Sequence, residues 1–257
     1  MNLETYIRNR LKQKPIGTMT HVIAGYPSFD DNLTALRLMK KYNVDLVEIQ
    51  MPFSEPTADG PVFVKANQEA LKNGITVDHY FDFMKQASQE FDFPILMMGY
   101  YNTALKLGHK NFIQRLKNAG GAGFILPDLP LEEQNGLFDT AASNELSPIL
   151  LVAPTTPDER LNAIGKAANG FVYVVARSGV TGDHTAFNKQ FETYIQRCRN
   201  AIKLPLAVGF GVSQKKDIEY LTGKADIAII GTALLRAWEY GKAEALEEFL
   251  DGLLGNG

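Results

Sequence analysis

Eight short apolar runs alternate with segments of helical period along almost the whole chain, and this alternation restricts the fold more than any single motif. The runs are Thr20–Ala24, Leu46–Met51, Ile95–Tyr100, Gly123–Leu126, Ile149–Ala153, Phe171–Ala176, Leu206–Gly209 and Ile227–Ile230. Helical periodicity occupies Asn32–Lys41, Val62–Lys72, Tyr80–Glu90, Lys110–Ala119, Glu132–Asn144, Arg160–Ala168, Lys189–Ile202 and Lys215–Leu221. An amphipathic segment, Leu3–Lys14, opens the chain and another helical stretch, Leu234–Leu254, closes it. Strands that alternate with helices form βαβ units, whose right-handed crossovers generate a parallel sheet. Eight such units in 257 residues match an α/β chain folded as one closed (β/α)8 barrel with an extra N-terminal helix. An open doubly wound sheet would carry G-x-G-x-x-G after its first strand; Val208-Gly209-Phe210-Gly211 comes too late and lacks the third glycine. No Ser/Gly-rich linker or charge run divides the chain, so residues 1–257 read as a single domain.

Composition narrows the partners. With 26 Lys and Arg against 29 Asp and Glu, the formal charge is −3, and no basic stripe is available to a nucleic-acid backbone. Cys198 is the only cysteine, which rules out an internal disulfide, and its polar helical surroundings mark it as a bystander. No apolar run approaches the roughly 20 residues needed to span a bilayer. The opening Met1–Tyr6 lacks the basic and apolar regions of a signal peptide, so a cytoplasmic location is expected.

The second strand carries the chemistry. Side chains alternate along a strand, so Val47, Ile49 and Met51 share one face and Leu46, Glu48 and Gln50 the other. The all-apolar face belongs against the helices, which turns Glu48 into the barrel near the C-terminal mouth where active sites of this fold lie. Eleven positions on, Asp59 stands in a turn-rich loop, and two carboxylates in different environments can divide acid and base work. Glycines at Gly209, Gly211 and Gly231, with Thr232 opening a helix, form a candidate phosphate site after the last two strands. No lysine ends a strand, which leaves a Schiff-base mechanism without its nucleophile. The histidines His21, His79, His109 and His184 are scattered, so no metal site is expected, and His21 reads as a core residue.

Five segments lie in one order: Ala24-Gly25-Tyr26-Pro27; Glu48 with Pro52-Phe53-Ser54-Glu55-Pro56-Thr57-Ala58-Asp59-Gly60-Pro61; Pro127-Asp128-Leu129-Pro130; Arg177-Ser178-Gly179-Val180-Thr181-Gly182; and Gly209-Phe210-Gly211-Val212-Ser213. In that order they resemble the tryptophan synthase alpha chain family. The resemblance implies a TIM-barrel lyase of tryptophan biosynthesis that cleaves indole-3-glycerol phosphate to indole and glyceraldehyde 3-phosphate. It makes Glu48 the acid/base, gives Asp59 the indole N–H, and sets Tyr173 beside Glu48. It assigns the phosphate to Gly182, Gly211, Gly231 and Thr232, and loop and pocket roles to Thr181, Arg177, Tyr100, Met98 and Leu126. It further implies an α2β2 heterotetramer, in which only the beta chain holds pyridoxal phosphate and this chain has no cofactor of its own. Alternative readings are a freestanding indole-releasing lyase and a regulatory barrel that binds a phosphorylated ligand; the intact acids argue against the regulatory barrel. The chain departs from the family at Glu55, where aspartate is commoner, at Gln50, where glycine is common, and at Thr232, where serine is common.

Overall fold

The computed structural model describes residues 2–176, 189–209 and 211–255. Eight parallel strands form a closed barrel in sequential order: β1 (Gly17–Ile23), β2 (Leu46–Gln50), β3 (Ile95–Met98), β4 (Gly123–Ile125), β5 (Ser147–Val152), β6 (Val172–Val175), β7 (Leu206–Gly209) and β8 (Ile227–Ile230). β1 begins earlier than its apolar run, because Gly17 donates its N–H to Asp226 and pairs with Ile227 where β1 and β8 close the barrel.

Helices cover the outside. In chain order they are α1 (Leu3–Arg10), α2 (Phe29–Lys41), α3 (Pro61–Lys72), α4 (Val77–Glu90), α5 (Tyr101–Leu107), α6 (His109–Asn118), α7 (Leu137–Ala142), α8 (Asp158–Ala167), α9 (Lys189–Ala201), α10 (Lys215–Leu221) and α11 (Thr232–Leu254). Two differ from the periodicity. The segment 132–144 is not one helix, because Asn135 and Gly136 take positive φ and separate a short 3₁₀ turn from α7. α5 has no counterpart in the sequence pattern; Asp128, from the loop after β4, accepts the Tyr101 N–H at 2.9 Å and caps it from outside.

Apolar side chains sort into two layers. Val47, Ile49 and Met51 pack between sheet and helices, while Leu46, Leu96, Met98, Ile125 and Ile149 fill the barrel with Leu3 and Ile7 of α1. The parity expected for β2 therefore holds, and α1 plugs the end of the barrel opposite the mouth. None of the described helices is long and apolar enough to cross a membrane.

Candidate active site

β2 delivers Glu48 into the barrel with 1% of its surface exposed, and the β1–β2 register sets it opposite His21. His21 Nδ1 lies 3.4 Å from Glu48 Oε2, while Glu48 Oε1 is buried and has no hydrogen-bond partner. Among the described residues no lysine or arginine pairs with this carboxylate. Burial first, and the Asp59 charge second, raise the Glu48 carboxyl from its ordinary value near 4.5 to about 8. Burial lowers His21 to about 4, so at neutral pH burial disfavours the charged form of both groups and the 3.4 Å contact is not an ion pair.

Asp59 follows the turn after β2, where its N–H bonds to the Pro56 carbonyl and Pro61 starts α3 two residues later. Gln50 Nε2 donates to Asp59 Oδ2 at 2.6 Å and Asn67 Nδ2 donates to the same oxygen at 3.2 Å. Asn67 also accepts from the Phe53 N–H at 3.0 Å, so this one α3 side chain ties the acidic loop to the barrel. Burial raises Asp59 to about 6, and hydrogen bonds from Gln50, Tyr100 and Asn67 oppose that rise. Environment thus pushes the two carboxyls apart. Between about pH 6 and pH 8 Glu48 keeps its proton while Asp59 is ionised.

The apolar wall comes from β3, β4 and the loop beyond β2. Tyr100 accepts the Ala58 N–H at 3.1 Å and stacks on Phe53 with ring centroids 4.9 Å apart, and Met98 and Tyr100 both belong to the inner cluster. Leu126 requires a correction: it packs in the outer layer, and Ile125 is the β4 side chain that faces inward beside Met98. Three residues of strand are too few for alternation to reveal which face is which. Tyr173 on β6 sits in the inner cluster, and its hydroxyl is held well above its ordinary value by burial and by the Glu48 and Asp59 charges. A Cβ on Gly209 would lie 3.0 Å from that hydroxyl, so glycine at this position makes room for the tyrosine.

Gly211 takes φ +75°, and Asp217 accepts the N–H groups of Ser213 and Gln214 at 2.9 and 3.0 Å, which shapes the loop after β7. Gly231 precedes α11, whose first turn starts at Thr232 without a side-chain cap, leaving its N-terminal dipole directed at the mouth. Arg177, Thr181, Gly182 and His184 lie outside the described residues. Sequence reading missed three side chains at the site: His21, Asn67 and Ile125. An inward position shared with Glu48 was the available signal for His21, but polar residues on both faces of β1 obscured it. Among the described residues, no three His, Cys, Asp or Glu side chains gather where they could hold a metal ion.

Comparison with known proteins agrees with this geometry. The sequence model of the family described as tryptophan synthase alpha chain matches residues 8–252. A tryptophan synthase alpha chain from Syntrophotalea carbinolica is 45% identical over 251 residues, covering 98% of this chain and 99% of that one. A solved chain from Aquifex aeolicus superposes with a TM-score of 0.90 at 32% identity, covering 98% of both chains. A structure of the tryptophan synthase α2β2 complex from Pyrococcus furiosus, concerned with mutual activation, gives 0.86 at 31% identity, covering 93% of this chain and 98% of that one.

Proposed function

Because the chain belongs to the tryptophan synthase alpha chain family, we propose that its barrel mouth cleaves indole-3-glycerol phosphate to indole and glyceraldehyde 3-phosphate. The observation that carries this reading is the buried pair on one strand–loop unit, with Glu48 protonated and Asp59 ionised at neutral pH. Glu48 gives its proton to indole C3, and the ring becomes an indolenine cation that can accept an electron pair. Asp59 accepts a hydrogen bond from the indole N–H and stabilises the positive charge spreading onto nitrogen. The Glu48 carboxylate then takes the proton of the glycerol hydroxyl beside the scissile bond. As that hydroxyl becomes the aldehyde carbonyl, the C–C bond pair returns to the ring and restores indole. Glu48 ends the cycle protonated, so no proton is consumed and neither a Schiff base nor a metal is needed.

The remaining roles follow from position and resemblance. Met98, Tyr100 and Ile125 flank the indole plane, and Tyr173 supports the Glu48 carboxyl from β6. Gly211, Gly231 and Thr232 seat the phosphate, and the family resemblance adds Gly182 to the phosphate site and gives Thr181 and Arg177 loop and pocket roles. We assign the chain to a cytoplasmic α2β2 assembly whose beta chain holds pyridoxal phosphate and receives the indole.

The decisive measurement is indole release from indole-3-glycerol phosphate by the purified chain, alone and with a beta chain. Slow release alone, accelerated about tenfold or more by the partner, is expected. Full activity without a partner would replace the complex with a freestanding lyase, and no indole in either case would overturn the assignment. The rate should fall below about pH 6 as Asp59 protonates and above about pH 8 as Glu48 loses its proton.

A further inference from the structure

The inner face of β1 and β2 holds more polar chemistry than two acids need. His21, Gln50 and Glu48 are all buried there, and the His21 ring lies tilted against Phe63 of α3 with ring centroids 4.4 Å apart. Gln50 Nε2 donates to Asp59 Oδ2 at 2.6 Å, which orients the amide and turns Oε1 away from Asp59. Three atoms in this group are buried without a partner: His21 Nε2, Gln50 Oε1 and Glu48 Oε1. The first two are complementary, since a ring N–H donor needs an acceptor and an amide oxygen is one, and Gln50 acts on His21 as a hydrogen-bonding side chain. The other ring nitrogen, Nδ1, already faces Glu48 Oε2 at 3.4 Å.

We propose that His21 is a positioning residue for Glu48: Gln50, oriented by Asp59, holds the ring hydrogen on Nε2, and the Nδ1 lone pair accepts from the protonated Glu48 carboxyl. The two acids are then linked through one directional chain, from Glu48 Oε2–H to His21 Nδ1, from His21 Nε2–H to Gln50 Oε1, and from Gln50 Nε2–H to Asp59 Oδ2. Only one tautomer of the ring satisfies every link. Glu48 Oε1 remains unpartnered in this resting arrangement, and delivery of the proton to indole C3 requires the Oε2–H to leave His21 Nδ1. Among the described residues, the groups facing this pair from other elements are Asp59 on the loop after β2, Phe63 on α3 and Tyr173 on β6, none of which supplies a cation that would favour an ionised pair. The inference rests on Glu48 being the acid of the proposed lyase, and it adds what holds that acid in place.

Two readouts test it on the full-length chain. With ring-15N histidine, a long-range 1H–15N spectrum should show His21 neutral with hydrogen on Nε2 from pH 5.5 to 7.5, the His21→Asn spectrum providing the assignment; hydrogen on Nδ1, or an imidazolium, overturns the proposal. In kinetics with the beta chain present, His21→Leu should lower kcat about tenfold while KM stays within about threefold, the size expected for one lost hydrogen bond. His21→Asn, whose amide oxygen falls near the Nδ1 position, should recover kcat to within about threefold of the unmodified protein. If His21→Leu turns over within twofold of the unmodified protein, or His21→Asn recovers nothing, the positioning role is lost. Turnover retained by Glu48→Gln would instead remove the reading beneath it, so the two failures are distinguishable. The spectrum decides the matter if His21→Leu does not fold.

Discussion

Asp45, just before β2, and Glu48, within β2 and nearer the mouth, stand three residues apart, both almost wholly removed from water, yet their surroundings differ in kind. Asp45 lies where α1 seals the closed end of the barrel. Arg10 Nε reaches it at 2.6 Å, Lys14 pairs with its other oxygen, and the Thr18 N–H donates at 2.7 Å. Every oxygen of that carboxylate is satisfied by a cation or a backbone donor. Glu48, at the open end, meets a neutral imidazole and the repulsion of a second acid. A buried carboxylate with cations is a clamp that holds charge still. A buried carboxylate without them keeps its proton and can transfer it.

The contrast can be broken from either end. The largest effect is expected from Glu48→Gln, which should lower indole release about a thousandfold while phosphate-ligand affinity stays within a few-fold. The same change should alter stability in a pH-dependent way. Because the Glu48 pKa rises on folding, the native state binds more protons than the unfolded chain between about 4.5 and about 8. Its burial therefore costs stability increasingly as pH rises through that window, and Glu48→Gln should melt higher than the unmodified protein at pH 8.5, with the gap closing below pH 4.5. Equal melting temperatures at both pH values would show that the folded protein does not hold this proton.

Asp45→Ala should do the reverse. It strands Arg10 and Lys14, which keep 29% and 26% of their side-chain surface exposed and so regain part of their hydration. A loss of about 2 kcal/mol, or roughly 6 °C in Tm, follows, with kcat at 25 °C unchanged within about twofold. A large fall in kcat in that variant would erase the division between clamp and catalyst. The smallest effects should come from β4. Ile125→Ala is expected to raise KM about fivefold, whereas Leu126→Ala should leave KM alone and lower stability by about 2 kcal/mol. Equal effects of the two on KM would overturn the assignment of inner and outer faces.

Much of this was legible in one dimension. The polar residues on β2 repeat with a period of two, and an all-apolar face beside them has one place to go, so the inward Glu48 followed from parity. The glycine turns after β7 and β8 and the Asp59 turn were marked by glycines and prolines whose backbone preferences are local. α5 was not visible, because seven residues carry too little periodicity and its cap, Asp128, comes from the next βα loop. Leu126 was placed on the wrong face for the same reason: a strand of three residues offers no pattern to read. His21 read as a core residue and is buried as expected, while its contact with Glu48 comes from the β1–β2 register, a relation between strands rather than a property of either.

The order of elements, the closed barrel, the inward carboxylate and the glycine turns after β7 and β8 were determined by the sequence itself, since each depends on local period or local backbone preference. Which acid is clamped and which keeps a mobile proton was decided only by the tertiary structure. Protonation depends on the cations, donors and water that surround a group, and those neighbours arrive from α1, β1 and β6, tens of residues away along the chain.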